Sequence, residues 1–129
     1  MAEDSTMQQV YFRITQKIQD SQKQIGQIEA QIAGNDRESR LASLTRREIE
    51  GLDSSTPMYK SVGKMFVQAP RDALIDELDA SIESAKTMTD ALEKKHKFVK
   101  RELDEATGNL RDVIQSMKAS AAASSSATA

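Results

Sequence analysis

The side chains that could carry catalysis or bind a metal are few and scattered. His96 is the only histidine and cysteine is absent, so the clustered imidazole and thiolate ligands of a zinc site are missing. The sequence contains neither a nucleophile elbow nor a glycine-rich phosphate-binding loop. Carboxylates are numerous, but an open pair of helices would not desolvate them for acid–base work. The sequence therefore predicts no enzyme, no catalytic residue, no metal site and no cofactor.

The basic run from Lys94 to Arg101 is the strongest local charge feature. It could contact nucleic acid or an acidic partner. Acidic residues interrupt the run on both sides, and the pairs Asp90–Lys94 and Glu93–Lys97 have the i,i+4 spacing of helical ion pairs. The net charge is only −2, from 18 basic and 20 acidic residues. These features favour a solvated helix face, so neither nucleic acid nor a membrane is predicted as a partner.

The composition favours long helices over a globular core. Aromatic residues are 4% of the chain and tryptophan is absent, whereas charged residues are 29%, with five glycines and two prolines. The acidic start has no apolar run behind it, and no stretch is long and apolar enough to span a bilayer. A cytoplasmic location is expected.

Apolar residues alternately three and four apart indicate a coiled-coil seam in each half of the chain. In the C-terminal half, eleven of thirteen seam positions are apolar. These positions are Ile75, Leu78, Ile82, Ala85, Thr89, Leu92, His96, Val99, Leu103, Ala106, Leu110, Val113 and Met117. The N-terminal series has nine apolar positions of thirteen: Met7, Tyr11, Ile14, Ile18, Ser21, Ile25, Ile28, Ile32, Asn35, Ser39, Ala42, Arg46 and Ile49. Beyond Gly34, Leu41, Leu44 and Leu52 follow a shifted stripe, which predicts a change of register or a kink there.

Antiparallel pairing of the two series brings together residues whose numbers sum to 124. Asn35 then faces Thr89, a paired polar layer of the kind that can fix register. His96 faces Ile28, so a packed seam histidine is favoured over a metal ligand. The predicted fold is mainly α: an antiparallel two-helix coiled coil with a single β-hairpin between the helices.

The predicted boundaries follow from caps and breakers. One domain over 1–118 comprises a helix over about 6–52, a β-hairpin over about 57–69 and a helix over about 70–118. Ser5 and Gln8 resemble a capping box at the first helix, and Pro70 suits the start of the second. The Ala/Ser tail over 119–129 is predicted to be disordered, because it has nothing to bury.

The β-prone segment between the helices is predicted to turn near Gly63-Lys64. Met58, Lys60, Val62, Met65 and Val67 would then lie on one face, and Tyr59, Ser61, Phe66 and Gln68 on the other. Both faces carry apolar groups, and an isolated two-stranded hairpin is marginally stable with unpaired edges. Joining a sheet built from several subunits is therefore favoured over packing against the chain's own helices.

Helix, single short hairpin and helix form the layout of a β-class prefoldin subunit, and the residues resemble that family. The stretch from Met58 to Val67, read as Met-Tyr-Lys-Ser-Val-Gly-Lys-Met-Phe-Val, is similar to the family's hairpin motif. The segment from Leu44 to Ile49, Leu-Thr-Arg-Arg-Glu-Ile, also resembles the end of the first helix in prefoldin subunit 1. The likeness covers roughly residues 7–117.

The resemblance implies an ATP-independent chaperone subunit. Prefoldin is a heterohexamer, so the partners would be two α-type and three further β-type subunits. Unfolded clients such as actin and tubulin would be held at the coiled-coil tips and passed to the cytosolic chaperonin. The alternative is a non-chaperone coiled-coil adaptor or spacer, which would need no two-faced hairpin.

Two sets of candidate site residues follow. The predicted assembly surface is the hairpin: Met58, Tyr59, Val62, Gly63, Met65, Phe66 and Val67. The predicted client-binding tip is Met7, Val10, Tyr11, Phe12, Leu110, Val113, Ile114 and Met117. The tip residues could instead simply seal the end of the coiled coil. The client interpretation is favoured for Phe12 and Ile114, which lie outside the seam.

Overall fold

The computed structural model of the chain describes residues 2–127, and the side chains of residues 5–125. Its elements are α1 (Ala2–Gly51), β1 (Tyr59–Val62), β2 (Met65–Gln68) and α2 (Arg71–Ala127). The predicted mainly α fold with one hairpin between two long helices is confirmed. The contacts group into two compact units, Met1–Glu29 with Lys94–Ala129, and Ala30–Glu93. The single domain over 1–118 stays a prediction.

Burial along both helices follows the predicted seam. Every seam position of α2 is buried or half-buried, and in α1 only Tyr11, 41% exposed, is an exception. The most buried apolar side chains are seam residues of the first unit: Ile28, Val99 and Ala106. These positions exclude water between the helices, and the burial of their apolar groups stabilises the helix pair.

The predicted change of register after Gly34 is wrong. Asn35, Ser39 and Ala42 remain half-buried in the original phase, and α1 is continuous to Gly51. A single glycine costs a helix about 1 kcal/mol, and seam contacts on both sides of Gly34 offset that loss. Leu41, Leu44 and Leu52 are consequently exposed rather than part of a shifted seam.

Two polar contacts join α1 and α2, one in each unit. The Arg46 Nε donates to Asp79 Oδ1 at 2.6 Å, and the His96 Nε2 lies 3.1 Å from Glu29 Oε1. Each of these pairs is offset by one residue from the predicted antiparallel pairing, in which the residue numbers sum to 124. Asn35 and Thr89 are both half-buried, but the hydrogen bonds of the described chain do not include one between them, so this layer fixes register less strongly than predicted.

Arg46 shows how a charged residue occupies a seam position of the second unit. Besides Asp79, its guanidinium pairs with Glu50 one turn along α1, at 2.7 Å. The hydrogen bond with Asp79, together with the charges of Asp79 and Glu50, raises the pKa of Arg46 above its ordinary value. Arg46 therefore stays charged, and its apolar stem can cover the seam while the head remains paired.

The helix ends differ from the sequence prediction. α1 begins at Ala2 rather than near residue 6, and α2 continues to Ala127, past the predicted end near 118. Alanine is the best helix former, so the segment from Ala121 to Ala123 continues the helix where disorder was predicted; residues 128–129 of that predicted tail lie outside the described residues. At its other end, α2 begins at Arg71, and the Leu74 N–H donates to the Pro70 carbonyl at 3.2 Å.

Candidate functional site

The hairpin turns where the sequence predicts, over Gly63 and Lys64. Its register pairs Tyr59 with Gln68 and Val62 with Met65. Gly63 has a φ of 63°, and it is the only described residue with a positive φ. A positive φ at the first central residue alone is the pattern of a type II′ turn, which suits glycine and matches the twist of a two-residue hairpin.

The hairpin is exposed on both faces. Cross-strand partners share a face, so the register confirms the predicted division into a Val62–Met65 face and a Ser61–Phe66 face. All strand residues are exposed, and Phe66 reaches 74%. The alternative in which the strands pack against the chain's own helices therefore does not hold. Such an apolar hairpin with unpaired edges is suited to pairing with further strands.

Met58 differs from the other predicted assembly residues. It is buried at the base of the hairpin, and its carbonyl accepts a hydrogen bond from the Ala69 N–H at 3.0 Å. Its side chain is covered within its own chain, so we expect it to anchor the hairpin rather than to contact a neighbour.

Two long side chains tie the hairpin region to the helices of the second unit. The Lys60 Nζ lies 2.8 Å from a Glu77 carboxylate oxygen on α2. The Arg71 guanidinium donates to the carbonyls of Glu50, at 2.7 Å, and Leu52, at 3.3 Å. Arg71 thereby satisfies carbonyls that the end of α1 leaves without helical partners. The Lys60 contact fixes the hairpin to α2, and the Arg71 contacts join the end of α1 to the start of α2.

The predicted client-binding residues of α1 form a run of exposed apolar groups in the first unit. Val10, Tyr11 and Phe12 are all exposed, and Phe12 reaches 69%. A shallow groove beside Phe12 is lined only by residues of α1: Ser5, Gln8, Gln9, Phe12 and Arg13. Apolar groups rimmed by amides and one cation are typical of a surface that binds other polypeptides.

The α2 members of the predicted tip are less exposed. Leu110, Val113, Ile114 and Met117 are half-buried, as is Met7 of α1. The sequence favours Ile114 as a client contact because it lies outside the seam, whereas the structure covers it about as well as its seam neighbour Val113. The exposed part of this surface is therefore supplied by α1.

His96 and the basic run from Lys94 to Arg101 both lie on α2. His96 is a half-buried seam residue beside Glu29, and among the side chains of residues 5–125 no group of three or more potential ligands converges on a metal position. The expected pairs Asp90–Lys94 and Glu93–Lys97 are not among the ion pairs of the described residues. Exposed long side chains gain little from such pairing in water, so the run remains a hydrated face.

Sequence reasoning missed several exposed apolar side chains outside both predicted surfaces. The sequence pattern places Leu41, Leu44 and Leu52 in a shifted seam and predicts no role for Met88 and Phe98 of α2, yet all five are exposed. The unbroken seam of α2 is the signal that could have shown that Leu41, Leu44 and Leu52 lie outside the seam of α1. A helix paired with it must keep phase, which excludes these leucines from the interface between α1 and α2.

Comparisons with known proteins agree with this arrangement. The sequence profile of the family described as "Prefoldin subunit" matches residues 13–117. A probable prefoldin subunit 1 from Schizosaccharomyces pombe is 30% identical over 86% of this chain and 99% of its own. Prefoldin subunit 1 from Homo sapiens is 28% identical over 90% and 95%. The crystal structure of the prefoldin beta subunit from Thermococcus strain KS-1 superposes with a TM-score of 0.73 and 25% identity, covering 79% of this chain and 90% of that one.

The hairpin between two paired helices and the profile match together define a chaperone subunit that assembles with other prefoldin subunits. The chain belongs to the prefoldin family. The single hairpin, the beta-subunit neighbour and the relatives named prefoldin subunit 1 place it in the β class, similar to subunit 1. Prefoldins are hexameric chaperones rather than enzymes. Membership of this chaperone family overturns the alternative of a non-chaperone coiled-coil adaptor or spacer. Neither helix, over the residues described, has an apolar stretch that would cross a bilayer.

Proposed function

We propose that the chain is a β-type subunit of a heterohexamer with two α-type and three further β-type subunits. It captures unfolded proteins such as actin and tubulin in the cytoplasm without ATP, and delivers them to the cytosolic chaperonin. The support is the resemblance to prefoldin subunit 1 together with two exposed apolar surfaces, one on the hairpin and one on the first turns of α1.

The hairpin is the proposed assembly surface. Tyr59, Val62, Met65, Phe66 and Val67 are all exposed in the isolated chain. Strand pairing with neighbouring hairpins would satisfy the open edges and bury these side chains at the same time. Gly63 holds the turn that places both strands in register.

The proposed client surface is Val10, Tyr11 and Phe12, with the half-buried residues around them as support. Unfolded proteins share exposed apolar groups but no fixed geometry, so a shallow, open and partly aromatic surface suits them better than a deep pocket. Phe12 is the residue expected to make the largest contact, because it has the greatest exposed fraction of the three.

A photo-crosslinking experiment tests this client surface. Phe12 is replaced by benzoylphenylalanine in the reconstituted complex, which is then mixed with chemically unfolded actin and irradiated. We expect a crosslinked product between position 12 and actin. This measurement isolates one subunit, whereas an aggregation assay would average over six.

Phe98 provides the matched control. It is a phenylalanine of the same unit with a similar exposed fraction, 61%, and it lies on α2 outside the proposed surface. Benzoylphenylalanine at position 98 should give little product. Equal crosslinking from both positions, or none from position 12, would show that the client surface is wrongly assigned.

A further inference from the structure

Leu41 and Leu44 of α1, with Leu52 one residue past its end, form a second apolar surface that α2 does not cover. Leu41, Leu44 and Leu52 are 65%, 57% and 47% exposed. Leu41, Thr45 and Glu48 recur at the spacing of one helix face, and Leu44 lies beside them. Leu52 follows directly after the end of α1 at Gly51. The Thr45 hydroxyl donates to the Leu41 carbonyl at 2.8 Å, so it is already partnered within the helix. We call Leu41, Leu44 and Leu52 the leucine stripe.

Arginines without ion-pair partners lie along the edge of the leucine stripe. Helical spacing places Arg40 and Arg47 on the same side of it. Among the described residues, the salt bridges of this part of α1 involve Arg46, and neither Arg40 nor Arg47 takes part in one. Arginine is enriched in protein interfaces, whose rims are polar. Glu48 adds one carboxylate between Leu44 and Leu52.

The leucine stripe is continuous with the base of the hairpin, within the same unit. Leu52 is its last residue, and the Leu52 carbonyl accepts the hydrogen bond from Arg71 that joins the end of α1 to the start of α2. The strand β1 begins at Tyr59, seven residues further on. A subunit seated on the hairpin would therefore lie close to the leucine stripe.

We propose that the leucine stripe binds a helix of a neighbouring subunit in the assembly. That helix would present apolar residues to Leu41 and Leu44, and carboxylates to Arg40 and Arg47. A helix is the fitting element because Leu41 and Leu44 lie one turn apart on α1, and the side-chain ridges of one helix pack into the grooves of another. This inference rests on the proposed role of the hairpin in assembly, and it adds a second contact that selects the neighbour by charge.

The test uses the full complex, co-expressed with its partner subunits and diluted in steps while its mass is followed. Leu41→Glu combined with Leu44→Glu should raise the concentration at which the complex dissociates about tenfold or more. Met88→Glu is the matched control: it is an exposed apolar residue of the same unit, on α2, and should dissociate like the unmodified complex. The milder Leu41→Ser with Leu44→Ser should shift dissociation in the same direction, with helicity unchanged by circular dichroism.

The charged edge is tested separately. Arg40→Glu with Arg47→Glu should weaken the complex at low salt, and the difference should shrink at about 1 M salt, where screening acts within about 3 Å. Dissociation of both leucine variants at the unmodified concentration would overturn the inference, and so would an effect on client crosslinking alone. The proposed function fails separately, if the unmodified chain forms no complex with partner subunits.

Discussion

Val62→Asp combined with Phe66→Asp is expected to keep the chain out of the hexamer while leaving both helices intact. The two residues lie on opposite faces of the hairpin, and both are exposed in the isolated chain. A carboxylate at either position would have to lose its hydration when a neighbouring strand covers that face, and an unpaired buried charge costs several kcal/mol. Size-exclusion chromatography with light scattering, after co-expression with partner subunits, measures the outcome.

The control must carry the same charges on side chains of similar exposure. Met88→Asp with Phe98→Asp changes one aliphatic and one aromatic residue of α2, both exposed. This variant should enter the complex normally. Circular dichroism should report unchanged helicity for both variants, because none of the four residues lies in the seam. A hexamer of normal mass containing the hairpin variant would rule out the hairpin as the assembly surface.

Ile28→Ala is expected to destabilise the chain by about 2–4 kcal/mol, the usual result of truncating a buried isoleucine. Ile28 is only 2% exposed and lies in the seam of the first unit, where it is among the most buried side chains. A native protein is stable by only about 5–15 kcal/mol, so this loss should lower the midpoint of thermal unfolding markedly. Circular dichroism of the purified chain follows the transition.

Leu44→Ala is the matched control for that substitution. It removes a similar aliphatic group from the same helix, at an exposed position, and should change the free energy of unfolding of the isolated chain by no more than about 0.5 kcal/mol. Similar losses from Ile28→Ala and Leu44→Ala would mean that the seam is not where the stability resides.

The seam could be predicted from sequence because its spacing reports directly on burial. In α2 the three-four alternation never slips, and each of its positions is covered in the structure. In α1 the polar residues Asn35, Ser39 and Arg46 interrupt the apolar three-four alternation. Leucines outside the seam, at positions 41, 44 and 52, therefore resemble its continuation. A helix must keep phase with its partner over its whole length, and this constraint decides against the local apolar pattern.

The hairpin could also be predicted from the sequence, because a glycine in a two-residue turn restricts the register of the two strands. Gly63 fixes the turn, and the alternation of side chains then assigns the faces. Helix ends were harder to predict. The Ala/Ser tail lacks any apolar group to bury, yet its alanines favour helix, and α2 therefore continues to Ala127.

The exposed fraction of residues beside the seam could not be obtained from periodicity. Phe12 and Ile114 both lie outside the seam, but Phe12 is exposed while Ile114 is half-buried. That difference depends on how neighbouring side chains of both helices cover each flank. The same limit applies to Leu41 and Leu44, whose role depends on surfaces supplied by other subunits.

We expect the chain to work as one subunit of a mixed prefoldin hexamer. The most direct test is native mass spectrometry of the complex purified through this chain, with identification of every co-purifying subunit. We expect a six-chain particle that holds one copy of this chain beside two α-type and three further β-type subunits. A chain that purifies alone, or in a complex without prefoldin subunits, would contradict the claim.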